Sequence, residues 1–179
     1  INISINTNFL EIMKILYLHG LESDQGGPKV DFLCKEHYTL APDMDYRDPT
    51  LYERTLDLIT RFQPDTIIGS SMGGWFAYNL GIEVGVPVLL LNPALHSRTY
   101  EPTIPLRTDT KRSEVFLALG MEDDIIDAKA TQEWMHYNNS QGYIPKNTYK
   151  GSHGHRTPFK VFCDIFTNFY LPKITKEVV

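Results

Sequence analysis

Cysteine is scarce in this chain. Cys34 and Cys163 are the two among 179 residues, they lie far apart, and neither sits in a CxxC or zinc-like cluster, so a redox or structural-metal role has no signature. A basic excess is missing as well: 17 Lys and Arg stand against 22 Asp and Glu, a net charge of -5, which offers no general attraction for nucleic-acid phosphates or anionic lipid. No apolar run reaches the length of a membrane span. The first residues also lack the basic-then-apolar order of a signal peptide, so the expectation is a cytoplasmic protein without a membrane span or a nucleic-acid partner. Internal repeats and low-complexity tracts are absent too.

What is present is apolar sequence in short, regularly spaced pieces. Hydrophobic residues make up 42% of the chain, enough for one well-buried core and too short a chain to divide comfortably into two, so residues 13–179 are expected to form a single domain. Residues 1–12 are a polar, Asn-rich lead ahead of Met13, which suits a natural start; the lead is expected to be poorly ordered and carries no functional weight.

The pieces alternate in period. Lys14 to Leu18 (KILYL) reads as a buried strand closed by His19-Gly20; a helix follows from Pro28, then a second strand, YTLAP. Leu51, Leu58 and Phe62 recur at helical spacing until Pro64, and DTIIG, VPVLLLNP and EVFLALG read as further strands separated by the helix MGGWFAYNLGIEVG and a Pro- and Thr-rich connection from Ala94 to Ser113. A helix centred on ATQEWMHYN, a last strand within Lys146 to Lys150 and an amphipathic terminal helix, TPFKVFCDIFTNFY, complete the chain. Strands alternating with helices predict an α/β fold of about six mostly parallel strands with helices on both faces, because parallel strands need crossovers and these are right-handed. Ligand sites in such sheets collect beyond the carboxyl ends of the strands.

Gly69-Ser70-Ser71-Met72-Gly73 matches G-x-S-x-G between an apolar strand and a helix, the setting of a nucleophile elbow, and Ser71 alone has glycine at both -2 and +2. A phosphate-binding turn is the competing reading, but no Lys-Ser/Thr follows the glycines as a P-loop requires. A serine hydroxyl is a weak nucleophile at neutral pH and needs a histidine base and a carboxylate that orients it. In α/β-hydrolases the chain order is Ser, acid, His. Four acids follow EVFLALG in GMEDDIID; Asp123 is favoured as the acid, Asp124 is the alternative, and Asp127 is placed as the cap of the next helix. Of the two histidines in GSHGH, His153 is favoured as base because it comes first after the small pair Gly151-Ser152, leaving His155 to line the site or to form half of an H-x-H pair.

An oxyanion hole would draw one N–H from Met72, directly after the nucleophile, and one from Leu21 in the loop after the first strand. His19 reads as a loop-stabilising residue that could touch substrate; Leu95, Leu106 and His155 are the other pocket candidates. With the connection from Ala94 to Ser113 as a minimal lid, the site is expected to be shallow.

Taken together, YLHGLES, IIGSSMGGWFAYNLG, LLLNPAL, GMEDDIID and KGSHGH resemble the small bacterial YqiA-like esterases of the α/β-hydrolase superfamily, from about Lys14 to the last helix. The resemblance implies the α/β-hydrolase fold with its first two strands missing, and hydrolysis of a small-molecule carboxylic ester or acyl thioester without cofactor or metal, with Ser71, Asp123 and His153 falling on the family's triad. Two departures stand out: family members usually carry an aromatic or aliphatic residue where this chain has His155, and commonly Phe at Leu21. Amide or C–C bond hydrolysis on the same fold, or a non-catalytic binding domain, are the rival readings. The oligomeric state is not legible.

Overall fold

The computed structural model describes residues 11–105, 111, 113–138 and 147–174. Six parallel strands form one sheet: β1 (Lys14–Leu18), β2 (Tyr38–Leu40), β3 (Thr66–Ser70), β4 (Val88–Leu91), β5 (Val115–Gly120) and β6 (Thr148–Gly151), in the spatial order β2-β1-β3-β4-β5-β6. Each crossover carries a helix or a long connection: α1 (Pro28–Cys34), α2 (Leu51–Phe62), α3 (Met72–Val84) and α4 (Ala128–Asn138), with α5 (Phe159–Asp164) following the last strand. The fold expectation is met. Among the described residues no helix is long and apolar enough to cross a membrane. Residues 1–10 of the expected polar lead lie outside the described residues.

The central strands β1, β3, β4 and β5 are largely apolar and buried because both sheet faces are covered there, whereas the edge strands β2 and β6 are only partly buried, and the two-residue period sorts the side chains. Leu16, Leu18, Ile67, Leu90, Leu117 and Leu119 pack with residues of α2, α3 and α4, including Tyr52, Phe76 and Met135. Ile15, Tyr17, Ile68, Leu89, Leu91 and Phe116 pack on the other face with Leu33 of α1 and Phe162 of α5. The terminal helix differs from expectation in one respect: after α5 it widens into a π-helical stretch, Ile165–Tyr170, before a last turn at Leu171–Ile174. That stretch keeps Ile165, Phe166 and Tyr170 all buried against the sheet.

Strand order places the site. The chain passes from β1 to β2 on one side and then returns to β3 on the other, so a crevice opens at the carboxyl ends of β1 and β3, the topological switch point where such sheets bind ligands. The loop His19-Gly20-Leu21 leaves β1 there, and Ser71 follows β3 there.

Candidate active site

Ser71 stands between β3 and α3 at φ 53° and ψ -114°, a backbone conformation that an L-residue adopts only when its surroundings hold it. Its N–H donates to the Leu91 carbonyl at 3.0 Å, and its carbonyl accepts from the Ala94 N–H at 3.0 Å and the Trp75 N–H at 3.2 Å. Glycines let strand and helix close around it. A Cβ at Gly69 would lie 2.2 Å from the Gly73 carbonyl oxygen, and one at Gly73 would lie 2.2 Å from the Leu18 carbonyl oxygen. Neither approach is possible for a real side chain, so the two glycines are a steric requirement of the turn.

The hydroxyl of Ser71 lies 3.0 Å from His155 Nε2, and His155 Nδ1 lies 2.8 Å from Asp123 Oδ2. A carboxylate can only accept, so Nδ1 carries the proton and Nε2 presents its lone pair to the serine O–H. Asp123 is itself held: its Oδ1 accepts the N–H groups of Ile125 at 2.9 Å and Ile126 at 2.8 Å, and its side chain is 1% exposed. The His155 side chain, at 16%, keeps an opening to solvent. Asp124 is exposed, and Asp127 accepts the Ala130 N–H at 2.6 Å, the capping role expected of it.

The expectation that His153 faces the serine is corrected by this geometry. The His153 N–H donates to the Gly151 carbonyl at 3.0 Å, a turn that folds the residue back over the ends of β5 and β6. There Gly120 and Gly151 leave room for it: a Cβ at Gly120 would lie 2.6 Å from His153 Nδ1, and one at Gly151 would lie 2.9 Å from His153 Cδ2. The ring is buried, with Nδ1 2.9 Å from the Gly154 carbonyl. Its carbonyl accepts the Glu122 N–H at 3.1 Å and ties the two loops together, so the ring that reaches Ser71 is the one two residues farther on. The spacing after the last strand does not separate the two histidines; a tight turn at Gly151 does.

The loop after β1 lies against Ser71. A Cβ at Gly20 would come within 3.3 Å of Ser71 Cβ, so the loop that carries Leu21 passes close to the serine at Gly20. His19 is buried and shapes this loop, with Nδ1 2.8 Å from the Gly20 carbonyl and Nε2 accepting the Met44 N–H at 3.1 Å. Both ring nitrogens are thereby taken up within the protein, so His19 is a loop residue and not a pocket wall. Tyr46 donates its hydroxyl to the His19 carbonyl; burial, with a smaller contribution from Tyr17, pushes its phenol far above the ordinary tyrosine range and keeps it a neutral donor. Met72 is the first residue of α3, whose leading N–H groups have no partner within the helix.

Two other residues are pocket candidates. Leu95 is fully buried in the core beside α3 and presents no surface to a ligand. Leu106 lies outside the described residues. The first part of the connection after β4 is packed down: Arg98 stacks its guanidinium 3.9 Å from the Trp75 ring centroid, donates to the carbonyls of Ala94 and Leu95, and pairs with Glu101, while Tyr100 and Ile104 pack on the core. Asn92 is the residue that sequence reasoning passed over. It is buried at φ 41° and contacts both the acid loop and the histidine loop. An Asn-Pro pair at the end of a strand is the signal that could have marked it.

Among the described residues no group of three or more His, Cys, Asp and Glu could hold a metal ion. What the site can do follows from its three aligned groups: a hydroxyl on a strained turn, an imidazole with its lone pair on that hydroxyl, and a buried carboxylate fixing the tautomer.

Residues 14–105, which include β1, the serine turn and the Asn92 segment, match the model of a family described as Uncharacterised protein family (UPF0227). No curated protein matches the sequence at a significant level. Among solved structures, the chain is similar to an α/β-hydrolase enzyme from a Medee basin deep-sea metagenome library, with TM-score 0.67 and 17% identity over 94% of this chain and 86% of that one. It is similar to SOBER1 of Arabidopsis thaliana, with TM-score 0.63 and 15% identity over 92% and 99%. The esterase domain of a Rhodothermus marinus protein superposes with TM-score 0.59 and 12% identity over 94% and 88%. These similarities establish the α/β-hydrolase fold.

Proposed function

The chain belongs to the UPF0227, or YqiA-like, family and has the α/β-hydrolase fold, and from that premise we propose that it is a serine hydrolase cleaving carboxylic esters or acyl thioesters through Ser71, His155 and Asp123. One observation carries this reading: the continuous chain of contacts from Ser71 Oγ through the His155 ring to the buried Asp123 carboxylate, at 3.0 and 2.8 Å.

In the acylation step Ser71 Oγ attacks the substrate carbonyl carbon while His155 Nε2 takes the hydroxyl proton. Asp123 stabilises the imidazolium that forms and holds it in place. The negative charge that develops on the carbonyl oxygen meets the N–H groups of Met72 and Leu21, which flank Ser71 from the helix start and from the β1 loop. Collapse of the tetrahedral intermediate breaks the bond to the leaving group, which departs as the alcohol or thiol with the proton from His155, leaving Ser71 acylated. A water then gives its proton to Nε2, attacks the acyl carbon and releases the carboxylic acid as Ser71 recovers its hydrogen. Every proton lost by one group is taken up by His155 and returned.

Intact-mass measurement after treatment with a fluorophosphonate tests the proposal. One covalent adduct is expected on the wild type and none on Ser71→Ala, with Ser70→Ala labelled as the wild type. An unlabelled wild type would point to a non-catalytic binding domain. Rates on p-nitrophenyl esters, anilides and acyl-CoA compounds then rank ester, amide and thioester cleavage; turnover of anilides above esters would move the chemistry to amides.

A further inference from the structure

The segment after β4 carries a side chain whose hydrogen bonds reach two of the three loops that build the site. Asn92 Oδ1 accepts the Gly120 N–H at 2.6 Å, where β5 turns into the loop of Asp123. Its Nδ2 donates to the His155 carbonyl at 2.8 Å and to the Gly154 carbonyl at 3.1 Å. Its own N–H donates to the Ala118 carbonyl at 2.9 Å, and two residues on, the Ala94 N–H holds the Ser71 carbonyl at 3.0 Å. Pro93 between them packs against α3, where a Cβ at Gly74 would come within 2.7 Å of Pro93 Cβ. Serine turn, acid loop and histidine loop are thus joined through one short segment, and the amide of Asn92 supplies the link to the histidine.

The chemistry of the amide suits this place. One end must accept an N–H and the other must donate to two carbonyls, which no hydroxyl, acid or amine of similar size does at once. The backbone at φ 41° is left-handed, where asparagine is among the tolerated residues. Asn92 is 2% exposed, so these groups have no water to fall back on, and an unmade bond there would be costly.

We propose that Asn92 is a positioning residue that sets the approach of His155 to Ser71 by fastening the carbonyls of Gly154 and His155 to the end of β5. It does not touch the reacting atoms, and its role in turnover rests on the hydrolase reading above. Its effect on the imidazole does not.

Asn92→Asp is the sharp variant. It keeps the size, the tolerance for a left-handed backbone and the acceptor for Gly120, and turns a carboxylate oxygen onto two carbonyls that need a donor. Asn92→Gly keeps the backbone and removes all three side-chain bonds. In both variants kcat for a p-nitrophenyl ester should fall about 10²-fold, the scale of a misplacement near 1 Å, with KM held within about threefold because the substrate-binding surface is untouched. The downfield proton resonance of His155 Nδ1–H, identified by its absence in His155→Ala, should shift or vanish. Asn168→Asp, the same chemical change on the exposed face of the terminal helix, should leave the rates and the resonance as in the wild type. An unchanged resonance and an unchanged kcat in Asn92→Asp and Asn92→Gly overturn the proposal. Global unfolding of both variants overturns it too, in favour of a purely structural asparagine. If the wild type takes no fluorophosphonate label but the resonance still moves in both variants, the hydrolase reading fails and the placement of the imidazole by Asn92 stands.

Discussion

The two edges of this sheet carry the same kinds of side chain and use them in opposite ways. At the amino edge, where every strand begins, polar groups close on one another. Thr66 bonds to the Tyr170 hydroxyl and to the Pro87 carbonyl, Asp65 accepts the Lys14 N–H at 2.7 Å, and His37 Nδ1 accepts the Met13 N–H. Left-handed residues on that side, Gln63 and Gly85, end helices α2 and α3. Among the described residues, the non-glycine residues with positive φ at the carboxyl edge are Ser71 and Asn92, and they present a hydroxyl and an amide to neighbouring loops. Histidine shows the contrast most directly: His37 ends on a backbone N–H in a buried place, whereas His155 spans from a buried carboxylate to a serine with part of its ring open to solvent. A place at the carboxyl edge is therefore required for reactive potential but does not by itself supply it, since His19 and His153 stand there too and are buried on backbone groups.

The largest effect expected from breaking this contrast lies within the histidine loop itself. His155→Ala should lower ester turnover by roughly 10³-fold or more, since the serine loses the acceptor for its proton. His153→Ala, which empties a buried site beside Gly151, should reduce thermal stability and keep turnover within about tenfold, because only packing near the loop is lost. Equal losses of turnover in the two variants would erase the distinction. Steady-state kinetics and thermal melts on both decide it.

A smaller effect is expected at the amino edge. Tyr170→Phe removes the bond to Thr66 and should cost about 1 kcal/mol of stability with ester turnover unchanged. Burial also raises the Tyr170 phenol far above its ordinary range, so the folded chain keeps a proton that the unfolded chain releases. Stability should therefore be complete below pH about 10 and fall as the pH rises past it, and part of that slope should be missing in the Phe variant. Tyr17, pushed up to about 12 by burial, contributes in the same direction and keeps its share of the slope in both proteins. Denaturant melts from pH 9 to 11 compare the two.

The smallest effect concerns His37. Burial lowers its pKa against a weaker opposing pull from Glu36, so the unfolded chain takes up a proton that the folded chain resists. The stability contributed by this group is present above the ordinary histidine pKa of about 6.5 and is lost as the pH falls through it. His37→Gln should flatten the stability profile between pH 7 and 5 without altering turnover at pH 7. A slope unchanged by the substitution would remove His37 from the account.

Much of this molecule is set by local pattern. The alternation of short apolar runs with helical periods determines six parallel strands and their covering helices, because the central runs are buried on both faces and each crossover has only one favoured hand. The serine turn is local only in part: a strand and a helix flank it in sequence and Gly69 is dictated by the backbone of Gly73 four residues on, but Gly73 answers to the Leu18 and His19 carbonyls at the end of β1. The place of an acid after β5 is legible from chain order, and Asp123 stands there with its carboxylate 2.8 Å from the ring of His155 instead of the expected His153. The choice between His153 and His155 is of another kind, because both follow the last strand in a stretch of small residues. It is decided by the turn at Gly151 and by a cavity that glycines on two different strands, β5 and β6, leave for the His153 ring. Asn92 depends on the same remote meeting, since its partners Gly120, Gly154 and His155 approach it only when β4, β5 and β6 lie side by side. Periodicity and turn chemistry act over a few residues and can be read along the chain. Contacts between loops far apart in sequence exist only once the sheet brings their strand ends together, and on this chain those contacts decide which histidine reaches the serine.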